Sequence, residues 1–81
     1  MQIQTRVSGD LAQQLGAFRL QVTLPDYATV ADLMAALQQQ YPAAAARLDT
    51  AVPIIAGKHV PPTEPLSAGQ TVALLLPIAG G

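Results

Sequence analysis

The chain has 81 residues, of which 51% are hydrophobic and only 11% charged, with four basic side chains against five acidic ones. That length allows one domain with a modest core, and that composition excludes intrinsic disorder. A net charge of −1 is too weak a positive field for a nucleic-acid backbone, and the absence of cysteine removes disulfides, thiolate metal sites and cysteine nucleophiles.

Met1 to Arg6 lacks the charged-then-apolar order of a signal peptide. The longest apolar run, Val72 to Ala79, falls well short of the ~20 residues that a membrane helix needs. A cytoplasmic location with no membrane partner is expected. Gln2 to Val7 alternates, with Ile3, Thr5 and Val7 on one face, which predicts a half-buried strand. Ser8-Gly9-Asp10 is turn chemistry, and Leu11 to Leu15 predicts a helical turn closed by Gly16. Phe18 to Leu24 alternates again, predicting a strand with Phe18, Leu20, Val22 and Leu24 inward, antiparallel to the first.

The period then changes. Val30, Leu33, Met34, Leu37 and Tyr41 form one helical stripe. Thr29 has N-cap character, and Asp32 completes a capping-box pattern. Tyr41-Pro42 predicts the end of the helix, because a residue before proline avoids the helical region, and Ala43 to Arg47 predicts one further turn. Val52 to Ala56 reads as a short strand, with Gly57-Lys58 as a two-residue turn into His59-Val60. Pro61, Pro62 and Pro65 exclude a central strand there. Ser67 to Gln70 is a turn before Thr71 to Leu76, a strand apolar on both faces and suited to the middle of a sheet. One mixed sheet on one main helix is an α+β domain.

No catalytic constellation is visible. His59 is the single histidine, so no multi-histidine metal site fits within one chain, and no phosphate-binding glycine motif occurs. Asp10, Asp26, Asp32, Asp49 and Glu64 are scattered over turns, loops and helix starts. The chain's last residues are more informative. Gly80-Gly81 follows an apolar strand and Pro77, and glycine lets backbone enter a narrow channel. Pro77 to Gly81 can extend about 17 Å at ~3.3–3.6 Å per residue, enough to reach a buried site in a second protein. Pro77 stiffens the root by fixing φ. The expected division is a domain over residues 1–76 and a flexible diglycine tail over 77–81.

Thr29-Val30-Ala31-Asp32-Leu33, Tyr41-Pro42, Glu64 to Val72 and Leu75-Leu76-Pro77-Ile78-Ala79-Gly80-Gly81 together resemble the MoaD/ThiS-type sulfur carriers of the ubiquitin-like β-grasp superfamily. Within it the chain looks most like the small subunit of molybdopterin synthase. It departs from the family pattern at Gln70, where an acidic residue is common, and at Ala56-Gly57, where asparagine-glycine is frequent.

The resemblance implies a β-grasp fold and a carrier role rather than catalysis by the chain itself. Gly81 would be the acyl-adenylate and thiocarboxylate site, with Gly80 giving the tail its freedom. Leu74, Leu76, Pro77 and Ile78 would dock on a partner. Implied partners are an E1-like adenylating enzyme using ATP, a sulfur donor and the large subunit of molybdopterin synthase. No cofactor is expected on the carrier. Sulfur delivery to thiazole, tRNA-thiolation or cysteine pathways, and a role as protein modifier or interaction module, remain open alternatives.

Overall fold

A computed structural model describes residues 1–77 of the chain. In chain order it runs β1 (Gln2–Val7), α1 (Gly9–Leu15), β2 (Arg19–Thr23), α2 (Val30–Gln40), a 3-10 turn (Pro42–Ala44), α3 (Ala45–Thr50), β3 (Val52–Ile55), β4 (Lys58–His59) and β5 (Thr71–Leu75). The strands form one mixed sheet in the order β2-β1-β5-β3-β4. This is the expected α+β, ubiquitin-like β-grasp architecture.

The alternation in β1 does what it predicted. Ile3, Thr5 and Val7 are buried while Gln2, Gln4 and Arg6 face solvent. β1 pairs antiparallel with β2, from Gln2 opposite Thr23 to Arg6 opposite Arg19, and parallel with β5, from Gln4 beside Thr71 to Val7 beside Leu74. A parallel pair needs a long crossover, and the chain between β1 and β5, with α2 inside it, supplies one.

The capping box at α2 forms in full. The Thr29 N–H donates to Asp32 Oδ2 at 2.8 Å, and the Asp32 N–H donates to Thr29 Oγ1 at 3.4 Å. Val30, Leu33 and Leu37 are buried, and Met34 and Tyr41 pack against the core from its margin. Burying each large aliphatic contributes about 1.5–3 kcal/mol, so this stripe and its partners Ile3, Leu11, Leu48, Val72 and Leu74 hold the domain together. Thr5 is also fully buried, with a hydroxyl that has no hydrogen-bond partner among the described residues.

Four expectations need correction. Phe18 lies outside β2 and is 70% exposed, because β2 is an edge strand and its core-facing row loses cover toward that end. The turn after Tyr41 is longer than one turn: Pro42 opens a 3-10 segment that passes into α3 and buries Ala44 and Leu48. The β3–β4 turn is Ala56-Gly57, one residue earlier than Gly57-Lys58, with φ of 52° and 79°. Both values are positive, as a turn matched to strand twist requires, and Ala56 bears the steric cost. Leu74, expected on a docking surface, is 1% exposed and belongs to the core.

Candidate functional site at the end of β5

β5 is the central strand, paired on both sides, and its two faces differ. Val72 and Leu74 point into the core, whereas Thr71 and Leu75 are exposed and Ala73 is half-buried. Its start is clamped. The Gly69 N–H donates to the Gln2 carbonyl at 2.8 Å, and the Gln4 N–H donates to the Gln70 carbonyl at 2.9 Å. The Gln70 side-chain oxygen accepts from the Ser67 N–H at 2.9 Å, closing the turn from within. Gly69 has φ of 79°, a left-handed conformation that suits a residue without a β-carbon.

The far end of β5 is where the chain leaves the sheet. Leu76 remains partly buried against the core and Pro77 is exposed, so Leu76 is the final anchor among the described residues. Beside it opens a cleft of about 650 Å³ lined by Ser8, Gly9, Asp10, Arg47, Leu75, Leu76 and Pro77. Across the cleft Arg47 Nη1 donates to Asp10 Oδ2 at 3.2 Å. Both side chains are largely open to water, so the pair contributes at most about 1 kcal/mol and shapes the rim more than it stabilises the fold. These residues stand 37 positions apart, which no sequence pattern signals.

Of the residues proposed from the sequence, Leu76 and Pro77 sit together at this exit, and Leu74 lies beneath it in the core. Leu75, which the sequence reading passed over, is the exposed apolar side chain here, at 48%. Strict alternation from Val72 would have found it. Ile78, Gly80 and Gly81 lie outside the described residues. His59 is exposed on β4, and no group of three His, Asp or Glu side chains among the described residues could hold a metal ion.

The sequence profile of the ThiS family matches residues 6–81. The chain belongs to the ThiS family. ThiS/MoaD-type proteins are sulfur carriers with the ubiquitin-like β-grasp fold, and solved structures share that fold. SAMP1 from Haloferax volcanii is 27% identical, with complete coverage of both chains (100% each) and a TM-score of 0.88. A candidate molybdopterin converting factor subunit 1 from Pyrococcus furiosus is 19% identical, with 96% of this chain and 99% of that one covered and a TM-score of 0.87. Subunit 1 in the complex of subunits 1 and 2 of molybdopterin-converting factor from Helicobacter pylori 26695 is 18% identical, with 100% of each chain covered and a TM-score of 0.71. The last two likenesses show the fold alone. No curated protein matches the chain.

Proposed function

We propose that this ThiS-family chain carries sulfur as a thiocarboxylate on Gly81, and that it does so as the small subunit of molybdopterin synthase. The observation that carries the reading is the family match running through residue 81 on a chain whose central strand directs Pro77 out of the fold. A carboxylate lacks a leaving group. Attack of the Gly81 carboxylate on the α-phosphate of ATP, with loss of pyrophosphate, makes an acyl-adenylate that has one. Hydrosulfide supplied by a donor then attacks the acyl carbon and AMP leaves, giving a thiocarboxylate and a proton. An E1-like adenylating enzyme supplies the ATP site and the catalytic groups, so the carrier needs no cofactor of its own and the reaction accords with the cytoplasm. In the last step the tail enters the large subunit and passes sulfur to a pterin precursor. The Helicobacter pylori structure, in which a subunit 1 of this fold is complexed with a subunit 2, supports that partnership.

A second reading has its own support. SAMP1, named in a second structure as small archaeal modifier protein 1, is more similar in sequence than either molybdopterin-related chain. In a modifier the same acyl-adenylate chemistry ends with a lysine amine forming an isopeptide bond to Gly81. Incubation with the adenylating enzyme, ATP and a sulfur donor, followed by intact mass spectrometry, separates the two. The carrier reading expects the mass gain of sulfur replacing oxygen, and transfer to the pterin precursor when the large subunit is added. A lysine conjugate without the sulfur-loaded form would favour the modifier.

A further inference from the structure

The register of the sheet sets Arg6 directly opposite Arg19 on neighbouring strands, both exposed. Continuing across the same row, Ala73 lies beside Arg6 and Ile54 beside Ala73. Two guanidiniums facing each other repel, whereas an opposite-charge pair at such a position is stabilising. Neither arginine forms an ion pair with another described residue. The five carboxylates lie off this face, in α1 (Asp10), α2 (Asp32), α3 (Asp49) and the connections (Asp26, Glu64). A shallow hollow of about 260 Å³ opens at the pair, lined by Gln4, Thr5, Arg6, Arg19 and Thr71. Half of the basic side chains of an acidic chain thus converge on one hollow with no ion pair to another described residue.

We propose that Arg6 and Arg19 dock an acidic patch, a pair of carboxylates, on the protein that activates the terminal glycine. The inference rests on the carrier reading and adds the chemistry of its partner's surface. Each guanidinium presents a planar fork that matches a carboxylate. The neighbouring Ala73, Ile54 and Leu75 supply an apolar strip with the two arginines along one side, a pairing of apolar and arginine surface that suits a protein interface. Two cations are too few to grip a phosphate backbone, and anionic lipid gives only about 1 kcal/mol per basic residue. A protein partner is therefore the favoured occupant. Ala73 lies in β5 two residues before its last residue, Leu75, and Pro77 follows two positions later, so a protein seated here stands close to the point where the chain leaves the sheet.

The test measures loading of the full chain by the adenylating enzyme of the same organism, as pyrophosphate release against carrier concentration, for wild type, Arg6→Gln, Arg19→Gln and the double variant. Direct association is followed by calorimetry, and the melting temperature is recorded for each. The double variant should raise KM for the carrier about tenfold with kcat nearly unchanged, and should flatten the rise of KM with salt. Its melting temperature should hold or rise, because the repulsion is gone. Arg6→Lys with Arg19→Lys keeps the charges without the forks and should fall between, near threefold. Equal KM and equal salt dependence in wild type and the double variant would overturn the docking site while leaving the carrier intact. Arginine-dependent association without loading would uphold the site and overturn the carrier chemistry. Neither loading nor association of wild type would overturn both, as would arginine-dependent binding to phosphatidylserine vesicles or duplex DNA in place of the enzyme.

Discussion

The two faces of β5 place leucines one residue apart in opposite roles. Leu74 is sealed in the core and Leu75 is about half open to water, on one strand with one backbone geometry. Composition cannot separate them; only the period of two and the position of α2 on one side can. The inner face fixes the fold and the register, and the outer face and the strand's end are left for other molecules. A central strand suits both tasks, since pairing on each side holds the exit at Leu76 and Pro77 steady while the outer face stays clear.

The largest effect should come from the inner face. Leu74→Ala or Leu37→Ala should cost ~2–5 kcal/mol through lost transfer energy and a residual cavity. A domain of this size has roughly 5 kcal/mol in total, so urea denaturation should show much of the variant unfolded. A change below about 0.5 kcal/mol would break the contrast. Removing the α2 cap should come next. Thr29→Ala deletes the oxygen that accepts from the Asp32 N–H and should cost about 1 kcal/mol by the same measurement.

Two substitutions should stabilise instead, one on the inner face and one in the β3–β4 turn. Thr5→Val replaces a fully buried hydroxyl without a partner by a methyl of similar size and should gain about 1 kcal/mol. Ala56→Asn puts a residue tolerant of positive φ where alanine is strained, for a gain of roughly 0.5–1 kcal/mol in thermal or urea unfolding. Leu75→Ala should be nearly silent, within about 0.5 kcal/mol, as befits an outward side chain. A loss as large as that of Leu74→Ala would erase the distinction between the faces.

Much of this was readable from residues alone where local chemistry decides the outcome. Thr29 and Asp32 specify a helix start, Gly16 a helix end with φ of 79°, and Ile3-Thr5-Val7 a strand face, each within a few positions. The failures lie where distant parts decide. Phe18 continues an inward alternation, yet the sheet edge leaves it uncovered. Ala56 occupies a conformation its own side chain disfavours, so the turn seemed to begin a residue later. Arg6 facing Arg19 depends on hairpin register, and the rim formed by Asp10 and Arg47 depends on α1 and α3 meeting. The tail residues Gly80 and Gly81 were legible by motif, and their chemistry is a matter for experiment.

That chemistry is tested most directly by fragmentation mass spectrometry of the chain after incubation with the adenylating enzyme, ATP and a sulfur donor, beside a variant lacking Gly80 and Gly81. The sulfur should map to Gly81. The shortened chain should take up none while melting at nearly the same temperature, because Leu76 is the last residue packed on the core among those described and terminal glycines add little packing. Sulfur on any other residue, or sulfur uptake by the shortened chain, would contradict a thiocarboxylate carried on Gly81.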